Sequence, residues 1–525
     1  LPDSRLMLDQ AAALLAGGRF HEALALFAQL LRQQPDSLPA RIGLARASLG
    51  AGDALTAVAW ASDAVRVAPA AQEPLQLLAD LLLSQKLFAQ ALPQYRALLE
   101  RFQARSAPNL LHAGFCEENN GDAQAAAALY REALSVQPDL LEAHVDLAGV
   151  LWRLEDFEGS LRHARQAVDI APRNAHAQRI LGTALLNLNR LDEADRQLRH
   201  ALELQPGFAM AELDLAFTLL LAGRLPEGWQ HYEARWRDGR VARPPFFQPG
   251  REWPGPQVPL AGQSIAVYGE QGWGDVLQCL RFLPQLQALG ANVACSVAPE
   301  LVPLVEASFP EVPCARPGRD LRVQLHVALM DLPGRLGVGL DNVPAQVPYL
   351  RPPQAARARW NALLQPWSGA RKVGLAWCGS RSQVNNRNRA MPYSLLQPLA
   401  RMPGVQCFNL QKSDAGEWTD VAPHARELVD LTGEWEDFGD SAAMIEQLDL
   451  VVTVDTAIAH VAGALGKPVW ILLGPNADWR WLLEREDSPW YPTARLFRRG
   501  FGESRTAQAA RVREALAQWL SGDTP

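Results

Sequence analysis

A chain of 525 residues exceeds what a single hydrophobic core organises, so two or more domains are expected. Apolar residues at 48% and charged residues at 20% describe globular composition and exclude long disorder. The net charge of −7, with no Lys/Arg-dense stripe against it, gives no reason to expect a nucleic-acid partner. No stretch approaches the ~20 apolar residues of a membrane span, so no membrane insertion is expected. Six cysteines without CxxC spacing fit a reducing compartment better than a disulfide framework or a zinc site. No basic segment followed by an apolar core opens the chain, and the cytoplasm is the expected location.

From the first residues onward, small residues recur as a ladder: Ala23, Ala57, Ala91, Ala126, Ser160, Ala194 and Gly228. A second ladder reads Pro35, Pro69, Pro138, Pro172 and Pro206, with Gln103 in the missing place. A third reads Leu30, Ala64, Leu98, Ala133, Ala167 and Ala201, and Gly18, Gly52, Gly121 and Gly223 mark turns. Small residues let two helices approach, glycine permits the tight turn between them, and proline stops the second helix. One helix pair cannot bury its apolar face alone, so successive pairs must stack. The pattern matches the tetratricopeptide repeat. It predicts an α-solenoid over residues 1–237 with about seven repeats, the last degenerate and ending near Trp236. Such an array implies a bound polypeptide, against the alternative that it only stiffens or dimerises the protein. Asn119, Asn120, His144, Asn187 and Asn189 are polar residues in or near the pairs that the sequence does not assign to a face.

Residues 238–260, with Arg243-Pro244-Pro245 and a Pro/Gly-dense stretch, read as a linker. After it, strands predicted at 264–268, 292–297, 323–328, 372–377, 406–410, 450–454 and 469–473 alternate with helices at 275–289, near 308, 392–401 and 456–465. This alternation predicts parallel sheets in two Rossmann-like halves, 261–352 and 353–506, followed by a C-terminal closing helix over 507–525. Ligands of open α/β sheets bind outside the carboxyl ends of the strands. Four such ends carry candidate chemistry. Gly272 and Gly274 bring backbone close to a ligand, with Asp275 as a carboxylate at a helix start. Gly379 and Ser380 precede Arg387 and Arg389. Lys412 follows another strand, and Asp455, Thr456 and Ala457 precede His460. The cations facing the helix that starts at Thr456 would suit a diphosphate. Asp455 fits either a helix cap or an acceptor for sugar hydroxyls, and His460 either a ligand contact or a satisfied core histidine.

The segments Gly272-Trp-Gly-Asp-Val-Leu, Asp455-Thr-Ala-Ile-Ala-His-Val-Ala-Gly-Ala-Leu-Gly-Lys-Pro and Leu473-Gly474-Pro475 resemble heptosyltransferase-type glycosyltransferases of the GT-B fold. With Glu227-Gly-Trp-Gln-His-Tyr-Glu-Ala-Arg-Trp236 and Ser488-Pro-Trp-Tyr-Pro492, the whole chain resembles bacterial proteins that join tetratricopeptide repeats to such a domain, flagellin glycosyltransferases among them. The overall plan is similar to that of the O-GlcNAc transferases. The resemblance implies Asp275 as catalytic base and Arg389 as the group that stabilises the leaving phosphate. It implies donor contacts at Gly272, Gly274, Gly379, Ser380, Arg387, Lys412, Asp455, Thr456, Ala457 and His460, Ala457 standing where heptosyltransferases usually have Gly. The implied reaction moves a sugar from a nucleotide-sugar co-substrate to a hydroxyl of a protein held by the repeats, with flagellin a candidate client, without metal or further cofactor. The alternatives are a repeat adaptor with an inactive glycosyltransferase domain and a lipopolysaccharide glycosyltransferase.

Overall fold

The computed structural model describes residues 2–239, 241–315, 323–380, 385–412 and 427–522, in two compact units, residues 1–184 and 185–525. The boundary falls inside the repeats.

In every repeat the ladder residue is the fourth of the second helix of a pair. These helices are Phe20–Gln33, Ala54–Val67, Phe88–Glu100, Ala123–Val136, Phe157–Ile170, Leu191–Leu204 and Leu225–Tyr232. Ala23, Ala57, Ala91, Ala126 and Ala194 are wholly buried, as are Leu98, Ala133 and Ala167 of the third ladder, because this face packs on the first helix of the pair. Each proline of the second ladder falls two residues beyond its helix. The turn within each pair is left-handed throughout: Gly18, Gly52, Gly121 and Gly223 have positive φ, and so do Lys86, Glu155 and Asn189 at the equivalent places. The turn geometry therefore persists where glycine is absent, which is why a glycine ladder shows only part of the repeat.

The unit from residue 185 onward holds two parallel sheets. The first has strands β1 (Ser264–Tyr268), β2 (Asn292–Ser296) and β3 (Leu325–Ala328) in the order β2-β1-β3. The second has β4 (Arg371–Ala376), β5 (Val405–Asn409), β6 (Leu428–Val429), β7 (Leu450–Val454), β8 (Val469–Leu473) and β9 (Ala494–Arg498) in the order β6-β5-β4-β7-β8-β9. Every pairing is parallel. That is the doubly wound order, with its switch point between β4 and β7. β7 and β8 are buried along their whole length, as expected of strands covered on both faces. One face carries Val373, Leu450 and Leu472 against Leu396 and Leu516. The other belongs to a core that runs from Leu220 and Trp229 of the last repeat through Ile265, Leu277 and Met330 to Val451, Ile471 and Trp481.

The predicted strand boundaries agree within two residues. The helix expected over 275–289 is broken into Trp273–Cys279, a 3-10 turn and Leu283–Ala288, with Pro284 at the restart. Helices Gln354–Leu364 and Phe438–Glu446 and strands β6 and β9 had no counterpart in the sequence reading. The segment read as a linker is docked: Trp253 is fully buried, its backbone N–H donates to the His326 carbonyl at 2.9 Å, and the His326 N–H donates to Arg251. Its prolines leave few backbone donors to satisfy, so it lies flat along β3.

In the first unit, burial pushes the Asp146 carboxyl up to about 7, reinforced by the nearby Glu118 and Glu142 charges. An acid whose folded value is raised contributes stability that is full below its unfolded value and is lost as pH rises through 7. Asp146→Asn should therefore stabilise the array by about 2 kcal/mol at pH 8, discounting for partial exposure, and by almost nothing at pH 4. Thermal unfolding at the two pH values checks this, and an equal shift at both would contradict it.

Candidate active site

The site is built where β1, β4 and β7 end. After β1 the chain turns through residues 269–272 and enters the helix Trp273–Cys279. A side chain at Gly274 would meet His460 at 2.8 Å and the Ala457 Cα at 3.8 Å, so glycine here lets this helix lie against the start of the helix Ala457–Ala464. That approach brings Asp275 beside the Asp455–His460 segment. Asp275 retains 24% of its side-chain surface, which leaves it open to a substrate. Burial raises its proton affinity, while Arg480 beside it and the Gly272 backbone N–H act in the opposite direction.

On the far side, Thr456 occupies the N-cap position and its side chain makes no cap bond; Thr456 Oγ1 lies 3.2 Å from Thr453 Oγ1. Asp455 is therefore not the helix cap, and among the described residues no side chain closes the first turn of this helix, whose N–H groups favour an anion. Asp455 is buried, and burial raises its carboxyl against the opposing charge of Arg389. His460 is a satisfied core histidine at Nδ1, 2.8 Å from the Tyr491 hydroxyl, and its ring stacks on Trp481. Burial, with Arg480, Arg281 and Arg389 nearby, drives it well below the usual histidine range, so it is neutral.

At the end of β4, the Gly379 N–H donates to Asn386 Oδ1 at 2.9 Å, and a side chain at Gly379 would meet the Arg389 guanidinium at 2.6 Å. Arg389 Nε is buried without a partner. The turn that carries Arg387 and Arg389 is held from behind by Arg505, which donates to the carbonyls of Arg387 at 2.7 Å and Ala390 at 3.0 Å. Arg387 and Ser380 are exposed. Lys412 is also exposed, beyond β5, and donates to the Trp435 carbonyl. The structure thus gathers Gly272, Gly274, Asp275, Arg389, Asp455, Thr456, Ala457 and His460 closely, while Ser380, Arg387 and Lys412 are exposed on the surface.

Arg480 was not anticipated. It is buried in a 3-10 turn six residues past β8, donates to Asp275 and Gln278, and pairs with Asp478 at 2.9 Å. Its signal was a lone cation between two tryptophans at the same strand-end edge as the other candidates. A second unanticipated group is a buried triad: Arg235, at the end of the last repeat, pairs with Glu270 at 2.9 Å and Asp331 at 2.6 Å. Next to it, Tyr232 and Gln271 exchange hydrogen bonds near 3 Å. Asn189 of the preceding repeat donates to the Pro475 carbonyl at 2.9 Å, and Trp229 packs edge-on to Trp479 at 5.1 Å. The last repeats therefore hold both loops that bring Asp275 and Arg480 together.

The first unit contains a separate recess of about 670 Å³ lined by Gln72, Gln76, Asp80, Arg105, Asn109 and His112. The Tyr95 hydroxyl donates to Asp80 at 2.7 Å at its edge. Its amides and charges suit a polar, extended ligand. His144 is turned inward, 3.0 Å from His163, and is not part of this recess. Among the described residues, no group of three or more His, Cys, Asp or Glu is arranged to hold a metal ion, and no helix is long and apolar enough to cross a membrane.

Residues 14–69, 77–140, 117–175 and 145–194 match the tetratricopeptide repeat, and residues 408–513 match glycosyltransferase family 9 (heptosyltransferase). The chain is 31% identical over 299 residues to Protein FlbA of Caulobacter vibrioides, covering 52% of this chain and 49% of that one. It thus spans about half the length of the curated relative it matches. Among solved structures, MamA from Desulfovibrio magneticus RS-1 aligns at 17% identity and a TM-score of 0.30 over 32% of this chain and 94% of that one. PilF of Pseudomonas aeruginosa aligns at 14% and 0.34 over 40% and 95%.

Removing one partner of a buried ion cluster leaves the others uncompensated. Arg235→Met should cost about 3–5 kcal/mol in urea unfolding of the full chain followed by tryptophan fluorescence, and adding Glu270→Gln with Asp331→Asn should recover most of it. A single variant as stable as the parent would show that the triad does not hold this joint.

Proposed function

We propose that this chain, which carries tetratricopeptide repeats and a glycosyltransferase family 9 domain, transfers a sugar from a nucleotide-sugar donor to a hydroxyl of a protein acceptor. The observation that carries this reading is the meeting of Asp275 with the uncapped start of the helix Ala457–Ala464, made possible by Gly274. Asp275, partly open and raised in proton affinity, takes the proton of the acceptor hydroxyl as that oxygen attacks the anomeric carbon. The bond from that carbon to the donor phosphate breaks, and the leaving diphosphate carries the electron pair. Arg389, with a buried N–H awaiting a partner, and the helix N–H groups meet that charge. Asp455 accepts from donor hydroxyls, Thr456 and Ala457 lie against the phosphate, and Gly379 clears the space for Arg389. Arg387, Ser380 and Lys412 line the outer donor side.

In this reading the two parallel sheets are the two halves of a GT-B fold, and the switch point between β4 and β7 receives the donor. The recess at Gln72, Asp80, Asn109 and His112 receives an extended segment of the acceptor, consistent with the protein-binding use of such repeats. Flagellin is the client suggested by the resemblance. These assignments place the reaction in the cytoplasm, where nucleotide sugars are held, with no cofactor beyond the donor.

The test is a transfer assay with a panel of nucleotide sugars, paired with thermal unfolding. At least one nucleotide or nucleotide sugar should raise the unfolding temperature of the parent and of Asp275→Asn alike. Asp275→Asn should lower transfer by about 10²–10⁴-fold. Absence of any nucleotide effect would favour an adaptor with an inactive domain, and undiminished transfer by Asp275→Asn would remove it as the base.

A further inference from the structure

Asp275 is engaged by a buried arginine from a distant loop. Arg480 donates from one terminal nitrogen to Asp275 Oδ1, from the other to Asp478 at 2.9 Å, and from Nε to Gln278 on the helix that carries Asp275. The guanidinium also lies 4.2 Å from the centre of the Trp479 ring. Arg480 is buried while Asp275 keeps part of its surface, so the pair is screened by salt less than a surface pair. The guanidinium favours the charged form of Asp275 against the burial that raises its proton affinity, and it occupies Oδ1 of the carboxylate.

The same guanidinium acts on the donor side. Its charge is felt at Asp455 and His460, alongside that of Arg389. An anion settling on the uncapped start of the helix Ala457–Ala464 therefore enters a field made by both arginines, and it competes with Asp275 for the one terminal nitrogen of Arg480 that is not on Asp478. We propose that Arg480 is a donor-operated latch: it pairs with Asp275 while the site is empty and transfers to the donor diphosphate on binding, so that the base is freed only when the donor is in place. This rests on the glycosyltransferase reading and adds an order to it, donor before acceptor activation.

Burial also pushes the Glu270 carboxyl up to about 7 and raises that of Asp455, so the proton count is read as the difference between the parent and Asp275→Asn. Tyr232 of the last repeat, Cys279 and Tyr491 are pushed up and His460 down, so all four are neutral near pH 7. Asp478, Asp455, Glu270 and Arg389 are the remaining charges facing it. Moving Arg480 from Asp275 to an arriving anion removes a cation and adds a negative charge, and both changes raise the proton affinity of Asp275.

The experiment is calorimetric titration of the full chain with inorganic pyrophosphate at pH 5.5–8, in buffers of different ionisation enthalpy, to count protons taken up on binding. The parent should take up as much as about one proton more per pyrophosphate than Asp275→Asn at the pH of greatest difference, by linkage. Arg480→Gln should bind pyrophosphate about tenfold or more weakly, and adding Asp275→Asn to it should not change the proton count. Equal uptake by the parent and Asp275→Asn overturns the latch while leaving the diphosphate site standing, a result that does not depend on how well Arg480→Gln folds. Parent-like affinity in a folded Arg480→Gln also overturns it. A parent chain that does not bind pyrophosphate overturns both the latch and the donor-site reading beneath it.

Discussion

Arg235 sits between Glu270 and Asp331, with the first two side chains buried and that of Asp331 nearly so. Desolvating these charges is costly, and a set of packed apolar residues would hold the joint at least as well. What the ions add is direction. Glu270 directly follows the first residue after β1, Asp331 closes the turn after β3, and the guanidinium fork admits few arrangements of both. Five residues beyond Glu270 stands Asp275. The turn that leads to the candidate base is thus tied to a residue of the repeat array as well as to the α/β fold that carries it. Glu270 Oε2 has no hydrogen-bond partner, and burial pushes the Glu270 carboxyl up to about 7, which marks this joint as electrostatically tense.

The same logic explains why the compact boundary lies at residue 184 rather than at the end of the repeats. The last repeat is degenerate because its second helix stops at Tyr232 and its aromatic residues face the α/β core instead of another helix pair. Trp229 packs on Trp479 and donates to the Val338 carbonyl at 3.1 Å. Tyr232 bonds Gln271, and Asn189, in a left-handed turn, bonds Pro475. A capping repeat in a free array is polar on its outer face; here that face has become core.

Around the candidate site, charge is arranged more sparingly than the number of ionisable residues suggests. His460 is neutral, bonded through Nδ1 to Tyr491 and stacked on Trp481. Three carboxylates, Asp275, Asp455 and Asp478, surround two arginines, Arg389 and Arg480. Such a cluster is poised to respond to an incoming anion, because Arg480 has partners that the anion must displace or share and Arg389 has a buried Nε without one.

Much of the architecture was legible in the sequence because it rests on local rules. A 34-residue spacing of small residues, prolines and turn glycines specifies helix pairs through sterics alone, and apolar runs between polar turns locate buried strands. Gly274-Asp275 and Asp455–His460 stood out because strand ends are where open sheets bind ligands. Tertiary structure alone decided the rest. It placed Arg480 on Asp275 across 205 positions of chain, exchanged the cap reading of Asp455 for an uncapped helix, and turned a proline-rich linker into a docked edge of β3. It also joined Arg235 to Glu270 and Asp331. Periodicity records which face of an element is buried, but not which distant charge meets it there; that is settled only when desolvation forces each buried ion to find a partner.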